Sequence, residues 1–255
     1  MVSIQQLQAE AILYDFRFLS DNVIVVAINM SLGVFTIPEQ HSSTGQMSMT
    51  KVAMLSLPFD DYMGGRTFCN PPNKHGTPRN AAVPTKPFTN SSDNIIYCYV
   101  SAFDGRAYDG CPFIVHSLAL LRYAMPLAFK HILWKEWGML TRFVEADNLN
   151  QNRFSGQRCL LTFAQHDEIL DFDQYRVNRL GRDFKVETEM AHISVVTEES
   201  QMTTAFWNKL YSSLPYVRIV LKQSGPPCLS CLDDDRIFAV GTYCFPLSFL
   251  MLMLI

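Results

Sequence analysis

The residue types able to do chemistry are few and widely spread. Cys228-Leu229-Ser230-Cys231 is a C-x-x-C pair, the spacing of half a structural zinc site or of a redox-active dithiol. A zinc site needs a second pair or two histidines at suitable spacing, and the nearest histidine in sequence is His192. A thioredoxin-like motif needs a βαβ setting, which the flanking residues do not supply. Two thiols in a turn between strands are therefore expected. His166-Asp167-Glu168 sets an imidazole beside two carboxylates, groups suited to acid–base work. Adjacent residues on a strand point to opposite sides, so the triplet is expected as a surface turn and not as a convergent site. Asp233-Asp234-Asp235 lacks the spacing and the glycine of a calcium-binding EF-hand loop and is expected as a solvated turn. Ser101, Ser155 and Ser194 stand in no G-x-S-x-G elbow. Neither a P-loop nor a G-x-G-x-x-G motif is present. No catalytic, cofactor-binding or metal-binding residue is assigned, and no cofactor is expected.

A different chemistry, that of recognition, is suggested by Trp134, Trp137 and Phe143, which surround Gly138 and several charged residues. Amphipathic aromatic side chains concentrate in binding hot spots. They also anchor packing between strands, each burying about 150–250 Å². Core packing is the first expectation for the three, and they are also the candidate interaction surface.

The elements that must position these residues read mainly as strands. Ile12 to Leu19 alternates, with Ile12, Tyr14, Phe16 and Phe18 on one face and Asp15 and Arg17 on the other, the pattern of a half-buried strand. Ser20-Asp21-Asn22 supplies turn chemistry. Val23 to Ile28 is a β-branched run, expected as a strand covered on both faces. Val34 to Ile37 and Lys51 to Leu57 follow as further strands. Residues 60–93, rich in proline, glycine and serine, predict a long surface loop. Strands are then expected over Ile95 to Val100, Pro112 to His116, Trp134 to Trp137, Cys159 to Phe163, Glu168 to Phe172, Ile193 to Thr197, Tyr216 to Leu221 and Arg236 to Val240. Ser117 to Tyr123 fits either a continued strand or a short helix. Thr203-Thr204 before Phe206, Trp207, Leu210 and Tyr211 has the spacing of a capped helix closed by Pro215.

At 255 residues the chain is long enough to bury a large core. Hydrophobic residues make up 48% and charged residues 18%, which excludes disorder for most of the chain. A net charge of −3 and scattered basic residues argue against a nucleic-acid footprint. Arg176, Arg179, Arg182 and Lys185 are interleaved with Asp171, Asp173, Asp183 and Glu187, a pattern expected of a solvated, mixed-charge surface. Residues 1–11 lack a basic stretch followed by an apolar one, so no secretory signal is read. Seven cysteines without a regular framework are then expected as thiols in a reducing compartment, cytoplasmic or nuclear. The triplets Asn29-Met30-Ser31 and Asn90-Ser91-Ser92 are expected to be chance matches to a glycosylation motif.

Several ordered segments carry a resemblance. They are Phe18-Leu19-Ser20-Asp21 leading into the β-branched run, Ser31 to Ile37, Trp134-Lys135-Glu136-Trp137-Gly138 with Thr141-Arg142-Phe143, and Gly156-Gln157-Arg158. The rest are Leu170-Asp171-Phe172, Val195 to Glu198, Leu214-Pro215-Tyr216 and Asp233 to Ile237. Together they resemble the C-terminal region of fungal F-box proteins, over about residues 15–240. In that family an F-box bundle docks on the Skp1 adaptor of a ubiquitin ligase, and a β-rich, propeller-like region holds the target protein. The resemblance implies that this chain corresponds to the target-holding region. An F-box opens with a Leu-Pro pair and amphipathic helices, whereas residues 1–20 pass quickly into a strand. No F-box is read here, so docking on a Skp1-type adaptor is not expected of these residues.

Residues 238–255 carry no charge and end in an apolar run. At 1.5 Å per residue, a helix over this stretch would reach about 27 Å, near the lower limit for a membrane span. Gly241 and Pro246 interrupt it and the flank is acidic, which disfavours a tail anchor. The expectation is one β-rich domain over residues 1–240, with a surface loop at about 60–93 and an apolar tail over 241–255. Its fold class is all-β, an incomplete propeller-like array of antiparallel sheets with one or two short helices. The expected role is a non-catalytic module that binds a target protein, with no nucleic-acid partner. A tail-anchored membrane-associated domain is the alternative, and an uncharacterised enzyme the third.

Overall fold

The structure, a computed structural model, describes residues 13–28, 31–38, 49–58, 94–103, 108–125, 128–144, 154–163, 166–203, 209–222, 229–232, 236–240 and 244–246. These residues are mostly β, with three short helices and several open sheets. They fall into two compact units, drawn from within 1–68, 96–145 and 199–214 and from within 69–95, 146–198 and 215–255.

The first unit is built on a five-stranded sheet in the order β1-β2-β3-β4-β7, comprising β1 (Leu13–Ser20), β2 (Val23–Ile28), β3 (Ser31–Thr36), β4 (Thr50–Ser56) and β7 (Lys130–Ile132). The first four strands form an antiparallel meander, whereas β7 joins β4 in parallel. The β-branched run of β2 is buried along its whole length, as expected. Val25 and Ala27 turn into the main core with Leu32, Val34, Ala53 and Leu55, while Ile24, Val26 and Ile28 pack with Phe35 and Met49. A second sheet, β5 (Ile95–Phe103), β6 (Tyr108–His116) and β8 (Thr141–Phe143), contributes Ile96, Cys98, Val100, Cys111, Phe113 and Val115 to the main core. Helix α1 (Ser117–Leu121), a 3₁₀ turn over Arg122–Ala124, helix α2 (Trp134–Trp137) and a 3₁₀ turn over Gly138–Leu140 lie between β6 and β8 in the chain. The pair β14 (Ser200–Met202) and β15 (Leu210–Ser212) belongs to the same unit. Here the Phe143 amide donates to Ser212 Oγ at 3.0 Å, and Leu214 N donates to Thr141 O at 2.9 Å.

The second unit holds a six-stranded antiparallel sheet. Its order is β12-β13-β16-β11-β10-β9, with β9 at Phe154–Ser155, β10 at Arg158–Thr162, β11 at Asp167–Asp171, β12 at Lys185–Glu187, β13 at Ala191–Val196 and β16 at Tyr216–Leu221. Leu160, Ile169, Ile193, Val195, Val217 and Ile219 form one apolar face, which Val177 of helix α3 (Gln174–Leu180) covers. Asp173 caps α3 by accepting from Tyr175 N at 3.0 Å and Arg176 N at 3.4 Å. Gly181, at φ 80°, ends it in a backbone conformation that side-chain-bearing residues rarely adopt. A separate antiparallel sheet joins β17 (Leu229–Leu232), β18 (Arg236–Val240) and β19 (Cys244–Pro246).

Several expectations are corrected. Trp134–Trp137 is helical, not extended, because two aromatics three apart share a helix face and both turn toward the core. The helix expected from Thr203 to Tyr211 is replaced at its end by β15, which pairs residue for residue with β14. Residues 204–208 lie outside the described residues. In β1 the aromatic face is the outer one: Phe16 is 54% exposed and Phe18 50%, whereas Arg17 and Leu19 are buried. Arg17 lies opposite the core-facing Val25, so the partner strand sets which face is covered. The expected loop over 60–93 lies outside the described residues. So does most of the tail over 241–255, where Cys244–Pro246 forms a strand. Among the described residues no helix is long and apolar enough to cross a membrane.

Candidate binding cleft

The parallel pairing of β4 with β7 sets Ala53 beside Lys130 and Leu55 beside Ile132. Side chains alternate across a strand, so Ala53, Leu55 and Ile132 share the core face while Met54, Ser56 and His131 share the other. At the end of the core face a cleft of about 470 Å³ opens. Ala53 and Ile132, both buried members of the main core, lie behind it. Arg122 and Tyr123 of the first 3₁₀ turn line it, as do Glu136 of α2 and the exposed Met125 and Lys130. Met125 is 88% exposed, and Phe129, Leu133 and Met139 in the same stretch are exposed as well.

Charge around the cleft is incompletely matched. Among the described residues neither Arg122 nor Lys130 has an ion-pair partner. Glu136 Oε1 accepts from Leu133 N at 2.9 Å, closing the first turn of α2. Burial pushes the Tyr123 hydroxyl above the usual phenol value, and the Glu136 carboxylate adds to that, with Arg122 pulling the other way. Tyr123 is therefore a protonated hydrogen-bond donor at neutral pH. Nearby, Lys51 Nζ sits 6.0 Å from the centre of the Phe129 ring, within cation–π range.

The aromatic trio lies beside this cleft. Trp134 and Trp137 rings meet edge to face at 4.8 Å, and Trp134 stacks on Phe143 at 6.1 Å. Phe113 joins them at 5.5 Å from Trp134 and 6.0 Å from Trp137. Trp137 is fully buried and its Nε1 donates to Ser56 O at 2.9 Å; Phe143 is also buried. Trp134 is partly exposed and packs against the same core. Its ring fits because residue 138 is glycine: a Cβ there would lie 2.5 Å from Trp134 Cε2 and 2.6 Å from Nε1. The structure thus brings the three together, Trp137 and Phe143 buried and Trp134 partly exposed, and Glu136, between the two tryptophans in sequence, reaches the cleft.

Other polar groups meet in ways the chain order hides. Ser56 Oγ and His131 Nε2 are 2.8 Å apart, a distance that suits a nucleophile and its base. Both lie on the sheet face opposite Ala53 and Ile132, so the pair does not face the cleft. In the second unit, His166 and Glu168 are not spread over a turn. Glu168 is buried within β11, and His166 Nε2 lies 2.8 Å from its Oε1, because residues two apart on an extended chain share a side. Arg218 Nε donates to Glu168 Oε2 at 2.9 Å, and a second guanidinium nitrogen contacts Oε1. Burial would raise the Glu168 pKa, but hydrogen bonds from Arg218 and His166 outweigh it and hold the carboxyl below its ordinary value.

The mixed-charge stretch over 171–187 is likewise not uniformly solvated. Asp171 is 1% exposed, accepts from Arg158 Nε at 3.0 Å and also contacts Arg176. Burial, with Arg158 beside it, lowers the Arg176 pKa to about 10, which leaves it charged at neutral pH. Cys228 and Asp233-Asp234-Asp235 lie outside the described residues, as does the side chain of Cys231. Among the described residues no three His, Cys, Asp or Glu side chains gather in a way that could hold a metal ion. Compared with known proteins, the chain matches no family model, no curated protein and no solved structure.

Proposed function

We propose that this chain is a non-catalytic protein-binding module, and that the cleft between β4, β7 and α2 is where it holds its target. One observation carries the proposal: a hollow in the first unit is lined by exposed Met125 and by Arg122 and Lys130, neither of which has an ion-pair partner among the described residues. Exposed apolar side chains grouped around a concave site are a recurrent mark of interaction surfaces. The resemblance to the target-holding region of fungal F-box proteins supports the same role, a recognition part of a ubiquitin-ligase subunit. In this reading the open antiparallel sheets are blades of an incomplete propeller-like array, whose edges present loops and short helices to a partner.

Site-directed photo-crosslinking in the source organism's cells tests the role. A benzophenone-bearing residue replaces Met125, and in a parallel sample it replaces Tyr175, an exposed residue of the second unit. A discrete protein adduct from position 125, with none from position 175, is the expected result. Equal adducts from both positions, or none from position 125, would remove the cleft as the binding site.

A further inference from the structure

We draw no further inference here: the strongest candidate, the exposed aromatic patch of Phe16 and Phe18 on the outer face of strand β1, carries nothing because nothing in the structure shows what covers it.

Discussion

The buried ion pairs of the second unit contrast with the charges around the cleft of the first. In the second unit, charged side chains are drawn inside and matched. Asp171 sits between Arg158 and Arg176, and Glu168 between His166 and Arg218. In the first unit, the charges around the cleft line an open hollow, and Arg122 and Lys130 have no ion-pair partner among the described residues. Matched, buried charges hold elements in register, and removing one leaves its partners stranded. Charges with no such partner among the described residues hold none of those residues in register and are placed to act on a ligand. A charged residue's importance to folding and its importance to binding should therefore run in opposite order across the two units.

The largest effect should come from Asp171→Ala. It deletes a carboxylate that ties helix α3 through Arg176 to strand β10 through Arg158, leaving two guanidinium groups close together. Loss of one partner of a buried ion pair costs about 3–5 kcal/mol, and partial exposure of both arginines puts the expected value near the lower end. Urea denaturation followed by circular dichroism measures it. A loss below about 0.5 kcal/mol, typical of surface substitutions, would erase the contrast between the units.

Gly138→Ala probes the first unit where its packing is tightest. The backbone at 138 is helical, at φ −57°, so alanine adds no backbone strain. Its whole effect comes from a methyl placed 2.5 Å from the Trp134 ring. Overpacking of this kind costs about 1–3 kcal/mol. Trp134 must swing outward, so the tryptophan emission should shift to the red along with a lower melting temperature. An unchanged emission spectrum would mean that Trp134 is not seated as described.

How much of this was legible in the chain depends on where each decision is made. Val23–Ile28 announced itself, because a β-branched run buried on both faces needs no outside information. Tyr216–Leu221 and Arg236–Val240 were likewise bounded by their own residue types. Trp134–Trp137 was not, since one helical turn is too short for a period of 3.6 to be told from one of two. The alternation in β1 was visible, but the choice of covered face belongs to β2 through the pairing of Arg17 with Val25. The aromatic trio was visible as a cluster, and its division into buried Trp137 and partly exposed Trp134 required the fold. The cleft was least visible of all. Its lining comes from Ala53 on β4 and from residues 122–136, joined only by a parallel strand pair that no local signal encodes. The pairing of His166 with Glu168 follows from their i, i+2 spacing on an extended segment, which begins two residues before the expected strand start at Glu168.

Glu168→Gln should give a smaller effect with a characteristic pH dependence. It neutralises the acceptor of Arg218 while keeping one oxygen for a hydrogen bond, and the exposure of the Arg218 side chain limits the loss to about 1 kcal/mol. The folded pKa of Glu168 lies below the ordinary 4.5, so over the interval between the two values the unfolded chain binds more protons than the folded one. The stabilisation is therefore complete above about pH 4.5 and is lost as pH falls through the folded value. In the Gln variant this part of the acid limb should flatten. An identical slope in variant and parent would show that Glu168 does not carry it.

The smallest stability effect should come from the double variant Arg122→Gln with Lys130→Gln. Both side chains border the cleft, and among the described residues neither is matched to a carboxylate, so no buried charge is stranded by their removal. Surface changes away from such features stay within about 0.5 kcal/mol. Loss of Arg122 also removes the cation that opposes the rise in the Tyr123 pKa, so the phenol should titrate at higher pH in the variant, visible as a later rise in tyrosinate absorbance. Unchanged folding together with a shifted phenol would mark these two charges as free to serve a ligand. A loss of several kcal/mol would mean that they hold the first unit together as Asp171 holds the second, and the distinction between matched and unmatched charge would not divide the molecule.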